Sequence, residues 1–288
     1  MTRAVVSELD FGDETLRFTV CAASDVGAVR KINEDSLLAS PPVFVVADGM
    51  GGHSFGDRAS QAAIAAFAGV FPTDAPARPA EVLETIAAAN TAVCELTDWA
   101  GETRTISGTT LTGVALVTVG AGENRHWMAF NIGDSRVYSW DGRTLAQLSV
   151  DHSVVQELVD AGVISKADAA THPERNVVTR ALGAAVDVDP DIWLLPALGR
   201  QTFLICSDGL TKELGDDEIA FRIAGHELGS TETIAEELVS AAIAAGGSDN
   251  VSVVVVEAEL IGVAQVASDE TREREPISPY LEDTRPRA

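Results

Sequence analysis

Positive charge is scarce in this sequence. Its 288 residues include 20 Lys and Arg against 44 Asp and Glu, which gives a formal net charge of −24, and only three of the basic residues are lysines. Nucleic acids and anionic membranes are bound mainly through basic residues. We therefore expect neither of them as a partner, and any site for a phosphate group has to be locally positive.

Cysteines and long apolar runs are also few. The three cysteines, Cys21, Cys94 and Cys206, lie far apart without metal-ligand spacing, which indicates reduced thiols in a cytosol. No apolar run approaches the ~18 residues of a membrane span, and the N-terminal stretch has no apolar signal core. These absences predict a soluble, cytoplasmic protein without a membrane span, and we expect it to be a monomer.

Two kinds of hydrophobic pattern divide the chain. Helical spacing of apolar residues predicts helices at 57–71, 82–96 and 231–245. Runs of β-branched and aromatic residues predict strands at 16–23, 43–47, several within 108–148, and at 201–207 and 251–258. Asp141-Gly142 predicts a hairpin with a two-residue loop. Strand clusters interrupted by helices, without strict alternation, favour a largely antiparallel α+β sandwich.

Two segments differ from this pattern. Residues 151–183 are polar and alanine-rich, so we expect an excursion from the sheet with a helical stretch around Val154–Val159. Residues 266–288 are charged and contain prolines, which predicts a disordered tail. The remaining chain, 1–265, is predicted to be one domain.

Three aspartates stand beside strand-like runs. Asp48 ends VFVVAD and Asp208 follows TFLICS, each directly before a glycine, while Asp249 stands just before VSVVVV. A carboxylate at the end of a buried strand is costly unless a cation meets it. One Asp-Gly alone would be explained by a turn. The three together predict strand ends that converge on one metal site.

The segment SDVGAVRKINEDS at 24–36 adds an arginine and two acids. Arg30 precedes the adjacent Glu34 and Asp35. By itself, a charged turn would look the same. Together with the three aspartates, it fits hydrolysis of a phosphate ester, which needs an arginine and metal ions around the phosphate and carboxylates that hold the metals and their water.

A series of motifs in this order resembles one family. The motifs are SDVGAVRKINED, VVADGMGGH, SGTTLTG, NIGDSRVY, LSVDHS, HPERNVVTRALG, FLICSDGL and GGSDNVSVVVV, and they extend from about Phe18 to Val256. The chain resembles the metal-dependent Ser/Thr protein phosphatases, the phosphatase 2C-like or PPM family, and its bacterial branch in particular. The resemblance implies a four-layer α-β-β-α sandwich of two largely antiparallel sheets flanked by helix pairs. It also implies a catalytic domain at 1–265 with a flap at about 151–183.

The resemblance implies two Mn²⁺ or Mg²⁺ ions in each active site, with a third as a further expectation. Asp48 resembles the carboxylate that bridges the two ions, and the carbonyl of Gly49 would be a ligand of one of them. Asp208 and Asp249 resemble the other direct ligands of the first ion. Oxygen ligands suit these hard cations and would not suit zinc.

Further residues are assigned around this centre by the same resemblance. Asp134 resembles a ligand of the third, weaker ion, shared with Asp208, although a turn aspartate between paired strands would account for the same motif. Glu34 and Asp35 would order metal-bound water from outside the ligand shell. Arg30 is similar to the arginine that grips the substrate phosphate as a bidentate fork.

The proton donor for the leaving group is not evident. Some family members have a histidine directly after the Asp-Gly, where this chain has Met50. His53 and His172 are candidates, although a loop role would account for either, and a metal-bound water could serve instead. Residues 107–110 are assigned to packing of the active-site floor and not to nucleophilic catalysis.

The implied activity is hydrolysis of phosphoserine and phosphothreonine in proteins by direct attack of a metal-bridging water. Its partners would be phosphorylated proteins and a cognate bacterial Ser/Thr kinase. The flap would carry substrate preference, with Arg175 and Arg180 available to contact the phosphopeptide or the core.

Two alternatives remain from the residues alone. A phosphatase-like module could bind phosphoproteins with little turnover, but a degenerate member should have lost one of the three aspartates, and all of them are present. An aspartyl-phosphate hydrolase of the haloacid dehalogenase type needs a second aspartate two residues after the nucleophile. Asp48 is followed there by Met50, so this alternative is disfavoured.

Overall fold

The computed structural model describes residues 4–12, 14–51, 55–96, 98–100, 103–105, 107–120, 124–226 and 233–261. The strands, in chain order, are β1 (Val5–Asp10), β2 (Thr15–Asp25), β3 (Asp35–Ser40), β4 (Val43–Met50), β5 (Asp98–Ala100), β6 (Thr103–Thr105), β7 (Gly108–Thr109), β8 (Leu111–Val119), β9 (Asn124–Ile132), β10 (Arg136–Trp140), β11 (Leu145–Gln147), β12 (Asp191–Pro196), β13 (Arg200–Cys206) and β14 (Val251–Ile261). The helices are α1 (Gly56–Phe67), α2 (Pro79–Glu95), α3 (Val154–Asp160), α4 (Lys166–Ala169), α5 (Asp208–Glu213), α6 (Asp216–Gly225) and α7 (Ile234–Ala245).

The larger strands form two sheets. One sheet has the order β1-β2-β14-β13-β10-β11, and the other has the order β12-β9-β8-β4-β3, with the short β7 pairing with the end of β4. Every strand pair in these two sheets is antiparallel. The prediction of a largely antiparallel arrangement is therefore confirmed.

Three apolar layers hold the sheets and helices together. Between the sheets lie large buried side chains, among them Phe18, Phe44, Trp127 and Phe203, and the rings of Trp127 and Phe203 are 4.8 Å apart at their centroids. The outer face of the second sheet packs against α1 and α2, and that of the first sheet against α5, α6 and α7. The fold is the expected four-layer α-β-β-α sandwich.

The helices form where the sequence combines apolar spacing with end signals. In α2, buried Val82, Ile86, Ala89 and Val93 follow one another at steps of three or four residues and so share one face. Proline begins this helix, where its missing N–H costs nothing. The helix α7 begins with a capping box between Thr233 and Glu236 and ends before a glycine.

The structure corrects the sequence predictions at the sheet edges. The strands β1, β3 and β12 were not predicted, and each lies at the edge of a sheet. Their residues are mostly half-buried or exposed, and such segments give weak hydrophobic patterns. The two-residue hairpin was wrong, because Trp140 pairs with Leu145 and leaves a four-residue loop. In that loop the Asp141 carboxylate accepts hydrogen bonds from the N–H groups of Arg143 and Thr144.

The predicted flap at 151–183 leaves the sheets between β11 and β12 and contains α3 and α4. A bridge between Ser153 and Val178 joins the two ends of the flap to each other, and a bridge between Thr109 and Leu182 joins the flap to the core. The predicted tail at 266–288 lies outside the described residues. Of the helices in the described ranges, none is long and apolar enough to cross a membrane.

Candidate active site

One end of the sandwich collects the aspartates that the sequence singled out. Asp35 begins β3 and lies directly opposite Asp48 near the end of β4. Asp134 lies in the turn between β9 and β10, Asp208 begins α5 just after β13, and Asp249 stands two residues before β14. We call Asp35, Asp48, Asp134, Asp208 and Asp249 the acidic cluster. They meet because antiparallel neighbours bring alternate strand ends to the same edge.

The surroundings of the acidic cluster oppose ionisation of its members. Asp48 keeps some exposed surface, but loss of hydration raises the pKa of its carboxyl well above the usual value, and Asp35 and Asp208 raise it further. Loss of hydration likewise raises the pKa of Asp35 and that of Asp134 to about 7. The pKa of Asp208 is raised for the same reason. Such a cluster is stable in ionised form only when cations enter it.

Two side-chain cations reach into the acidic cluster. The Nζ atom of Lys212 lies 2.5 Å from Oδ2 of Asp208 and 2.8 Å from Oδ2 of Asp249. The Nη2 atom of Arg30 lies 2.9 Å from Oδ1 of Asp249. Among the described residues, the other three aspartates of the cluster have no ion pair, so the cluster carries more negative charge than these two cations balance.

Unused oxygen atoms in the acidic cluster fit a hard metal ion. Oδ1 of Asp35 and Oδ1 of Asp208 are buried and have no hydrogen-bond partner among the described residues. At Gly49, a Cβ would lie 2.1 Å from the carbonyl oxygen of Gly56. Any larger residue at this position would therefore clash with the backbone of Gly56. Buried oxygens of this kind are the ligands that Mn²⁺ and Mg²⁺ prefer.

The acidic cluster is not yet arranged as a finished coordination shell. Within the described ranges, no group of three or more His, Cys, Asp or Glu side chains already stands at metal-binding geometry. Two of its carboxylates are instead engaged by Lys212 and Arg30. Binding of a metal ion by these residues therefore requires side chains to turn away from the two cations.

Hydrogen bonds from neighbouring residues fix Glu34 and Asp35, the two acids that the resemblance assigns to the outer shell. The hydroxyl of Ser207 donates to Oδ2 of Asp35 at 2.8 Å. The backbone of Glu34 is fixed on both sides, since its N–H donates to the Asn250 side chain and its carbonyl accepts from the Ser60 hydroxyl. Loss of hydration is the largest cause that raises the pKa of the Glu34 carboxyl.

Asn250 ties the loop that carries Arg30 to the acidic cluster. Its Nδ2 group donates to the carbonyls of Val26 and Ile32, both at 2.9 Å, and its Oδ1 accepts from the N–H of Glu34 at 2.9 Å. The asparagine is buried, and these three hydrogen bonds enclose the segment in which Arg30 lies. The position of Arg30 thus depends on the residue next to a member of the cluster.

The turn that carries Asp134 has its own supports. Asn131 donates to the carbonyl of Gly133 at 2.9 Å, and the N–H of Gly133 donates to Nδ1 of His152 at 3.0 Å. Burial lowers the pKa of His152, which agrees with a neutral ring that accepts at Nδ1. The Nε2 atom of the ring faces Oδ2 of Asp191 at 3.3 Å.

The threonines of SGTTLTG support the floor, as predicted for residues 107–110. Thr110 accepts a hydrogen bond from the N–H of Asp48 at 2.9 Å, and Thr109 donates to the carbonyl of Asp48 at 2.9 Å. Both threonines are fully buried. They fix the backbone on either side of the Asp48 side chain.

Lys212, Asn250 and His152 were missed by sequence reasoning. Lys212 follows Asp208 by four residues in DGLTK, a spacing that joins opposite charges on a helix and could have indicated this pair. Asn250 and His152 act through backbone groups that are remote in sequence. No sequence pattern could have shown those contacts.

A cleft of about 620 Å³ lies over the acidic cluster, between it and the flap. Its walls include Arg30, Asp134, Asp208 and Asp249 from the core side and Arg175 from the flap side. The cleft is thus lined by acids at its base and by arginines around them. Such a site suits an anion that meets metal ions at the base.

The remaining predicted residues lie elsewhere. His172 does not line the cleft, and its Nδ1 accepts from the N–H of Glu174 within a turn of the flap. His53 lies outside the described residues. Arg180 contacts the core, since its Nη1 lies 2.7 Å from Oδ1 of Asp191. Met50 packs its side chain towards Gly108.

A second, larger cavity of about 740 Å³ lies away from the acidic cluster. It is lined by residues such as Phe11, Arg125 and Leu198. Arg125 stacks on the ring of Phe11 and forms an ion pair with Glu14, so the Glu14 carboxylate compensates its positive charge. Size alone therefore does not make this cavity the functional site.

Comparison with known proteins agrees with the motif series. The sequence profile described as Protein phosphatase 2C matches residues 30–244. The serine/threonine phosphatase Stp of Listeria monocytogenes is 34% identical over 258 residues, which cover 85% of this chain and 98% of that protein.

Solved structures of similar proteins share the fold. The phosphatase MsPP of Mycobacterium smegmatis, solved in complex with cacodylate, has a TM-score of 0.70 at 37% identity and covers 82% of this chain and 97% of that one. The catalytic domain of the phosphatase PstP, solved with two manganese ions, has a TM-score of 0.69 at 34% identity and covers 85% and 99%. The match to the family profile extends over most of the chain, and the chain is therefore a member of the protein phosphatase 2C family.

Proposed function

We propose that this protein is a Mn²⁺- or Mg²⁺-dependent protein serine/threonine phosphatase that hydrolyses phosphoserine and phosphothreonine by direct attack of water. The observation that carries the proposal is the acidic cluster at the base of a cleft whose walls carry Arg30. Related proteins of this family are named serine/threonine phosphatases, and one was solved with manganese.

In this proposal the acidic cluster holds two metal ions. Asp48, the carbonyl of Gly49, Asp208 and Asp249 would be the groups that hold these ions. When bound, the ions would supply positive charge to the phosphate and lower the pKa of water. The buried Oδ1 of Asp208, which has no hydrogen-bond partner among the described residues, supports this assignment.

Protein side chains carry the other tasks. Arg30 grips two phosphate oxygens with its planar fork, and about half of its side-chain surface is exposed, so the fork can reach a ligand in the cleft. Glu34 and Asp35 would accept hydrogen bonds from water near the metal ions and so help to orient it. No serine or cysteine nucleophile is required, and no covalent phosphoenzyme forms.

The proton for the leaving alkoxide comes from solvent in this proposal. Among the described residues, no histidine lines the cleft. The cleft is open to water on the flap side, where Arg175 is exposed and has no ion pair within the described chain. His172 lies in a turn of the flap and does not line the cleft.

The substrates would be phosphorylated proteins made by a bacterial Ser/Thr kinase. The flap provides one wall of the cleft and so would select among them. A cytoplasmic location and a monomeric state remain predictions from the composition of the chain.

The test is release of phosphate from p-nitrophenyl phosphate and from phosphothreonine peptides. We expect activity with Mn²⁺, loss of activity in EDTA, and loss of turnover in Asp208→Asn with unchanged circular dichroism. Full activity in metal-free buffer would overturn the metal-dependent mechanism. A trapped phosphoenzyme after acid quench would overturn direct attack by water, and binding of phosphopeptides without turnover would favour a binding module.

A further inference from the structure

Glu213 contacts the loop that carries Asp249, although the two residues are far apart in the sequence. Glu213 is the last residue of α5, the short helix that begins with Asp208. Its Oε1 atom accepts a hydrogen bond from the backbone N–H of Ser248 at 2.8 Å. Ser248 directly precedes Asp249, so the carboxylate of Glu213 is bound one residue away from a member of the acidic cluster.

The same carboxylate also lies against Gly246. A Cβ at Gly246 would stand 2.5 Å from Oε2 and 3.2 Å from Oε1 of Glu213. Glycine at this position therefore leaves the space that the carboxylate occupies. The two contacts place Glu213 across the backbone that leads from the end of α7 to Asp249. We call residues 246–249 the Asp249 loop.

The Asp249 loop in turn supports the segment that carries Arg30. The carbonyl of Gly247, a buried residue, accepts a hydrogen bond from the N–H of Ala28 at 2.8 Å. A Cβ at Gly27 would lie 2.2 Å from the carbonyl oxygen of Asp249, so the two segments pack backbone against backbone. A shift of the Asp249 loop would therefore displace both the Asp249 carboxylate and the segment of Arg30.

Binding of a metal ion makes this support important. The Asp249 carboxylate is engaged by Arg30 and Lys212, and it has to turn away from them to meet a metal ion. The side chain can turn to one defined position only if the backbone beneath it stays in place. In metal sites, hydrogen bonds from residues outside the ligand shell hold the ligands in this way.

We propose that Glu213 is a positioning residue of the metal site, and that its hydrogen bond to Ser248 fixes the Asp249 loop so that Asp249 can bind a metal ion. The inference rests on the proposed function for the role of Asp249. It goes beyond that function, because the motif FLICSDGL ends at Leu210 and the resemblance assigns no task to Glu213. Glu213 acts through the backbone of Ser248 and is not itself a ligand.

Two measurements on the whole chain test this role. Titration with Mn²⁺ alone, followed by electron paramagnetic resonance of free Mn²⁺, gives the affinity for the metal. Hydrogen exchange of backbone amides in EDTA gives the protection of the Ser248 N–H in the absence of metal. Circular dichroism and thermal unfolding check that each variant is folded.

Three variants separate the hydrogen bond from the charge of Glu213. Glu213→Ala removes both, Glu213→Gln keeps an acceptor oxygen without the charge, and Glu213→Asp keeps the charge on a side chain that is one methylene shorter. Glu81→Ala is the matched control. The Glu81 carboxylate also accepts from a backbone N–H, that of Arg78 at 2.9 Å, but it does so at the start of α2, away from the cleft.

We expect Glu213→Ala to weaken Mn²⁺ binding by roughly 10- to 100-fold and to speed hydrogen exchange at Ser248. Glu213→Gln should recover most of the affinity and of the protection, because its amide oxygen accepts the same hydrogen bond. Glu213→Asp should bind Mn²⁺ more weakly than Glu213→Gln does, since its carboxylate is drawn back from Ser248. Glu81→Ala should have the wild-type affinity even though it unfolds at a lower temperature.

Wild-type Mn²⁺ affinity in a folded Glu213→Ala protein would overturn the inference. If Glu213→Ala did not fold, the comparison of Glu213→Gln with Glu213→Asp would decide, and equal or stronger binding by Glu213→Asp would overturn it. An equal loss of affinity in Glu81→Ala would show general destabilisation and would also overturn it.

Failure of the proposed function gives a different result. A wild-type protein that binds no Mn²⁺ would overturn the proposed function and this inference together. Normal binding by the wild type, combined with no effect of Glu213→Ala, would overturn the inference alone.

Discussion

Asp35 and Asp48 are directly paired residues in the ladder between β3 and β4. Two carboxyl groups in such a pair lie on the same face of the sheet, where like charges repel each other. After loss of hydration, Asp35 is the largest cause of the raised pKa of Asp48. The pair is held together because the strands that carry it are fixed by buried apolar residues elsewhere in the sandwich.

The first prediction concerns the pH dependence of the free energy of unfolding in EDTA, and it follows from the raised pKa values in the acidic cluster. The folded-state pKa values of Asp35 and Asp134 are raised to about 7, while the unfolded chain ionises these groups near 4. The stability they contribute is therefore full below about pH 4 and is lost as pH rises towards 7. We expect the contribution of these groups to the free energy of unfolding to fall across this range, and saturating Mn²⁺ to reduce the fall.

Urea unfolding of the EDTA-treated protein at several pH values measures this effect. The variant Asp134→Asn cannot ionise at that position, so it should lose less stability between pH 5 and 7 than the wild type does. Parallel curves for the two proteins would contradict the assignment of a raised pKa to Asp134.

The second prediction concerns the fork of Arg30. Loss of two charge-assisted hydrogen bonds to phosphate costs about 2–4 kcal/mol of transition-state stabilisation, or roughly 30- to 1000-fold in kcat/KM. We expect Arg30→Ala to show this loss with p-nitrophenyl phosphate and Arg30→Lys to lie between, because lysine keeps the charge but not the fork. Arg143→Ala, in the exposed hairpin loop, is the control and should retain activity. Wild-type kinetics in Arg30→Ala would refute the role.

The third prediction separates structural from functional asparagines. Asn250 and Asn90 are both buried, and each makes three hydrogen bonds to backbone groups, with Asn90 holding the segment after Leu182. The variants Asn250→Ala and Asn90→Ala should therefore lose similar stability, on the order of 3 kcal/mol. Only Asn250→Ala should also lose kcat/KM, roughly tenfold or more, because it alone releases the loop of Arg30.

Steady-state kinetics well below the unfolding temperature test this difference. In addition, the effects of Asn250→Ala and Arg30→Ala on kcat/KM should not be additive, since one residue acts through the other. Additive effects, or equal loss of activity in Asn90→Ala, would show that Asn250 acts only on general stability.

The fourth prediction concerns the hydrogen bond between Gly133 and His152. His152→Leu leaves the buried N–H of Gly133 without an acceptor, which should lower the free energy of unfolding by about 1–3 kcal/mol. His152→Asn retains an acceptor oxygen near the position of Nδ1 and should recover part of the loss. Urea unfolding at neutral pH measures both values. Equal stability of the Leu and Asn variants would contradict this role of His152.

Much of the fold followed from local patterns in the sequence. The helices α1, α2 and α7 and the central strands were predicted because each buries a continuous apolar face, which appears directly in the spacing of its residues. The edge strands β1, β3 and β12 were not predicted. In β12 the burial alternates, but its exposed positions include Ile192 and Leu194, so the alternation does not appear in the residue types.

The sequence by itself determined the residue types at the site and the family. Asp48, Asp208, Asp249 and Arg30 stand in motifs that indicate metal and phosphate chemistry before any coordinates are known. The tertiary structure decided which groups touch. In the structure, Asp35 pairs with Asp48, Lys212 contacts the carboxylates of Asp208 and Asp249, and His172 does not line the cleft. These relationships depend on strand register and on loop contacts between residues far apart in the chain, and no local sequence pattern contains them.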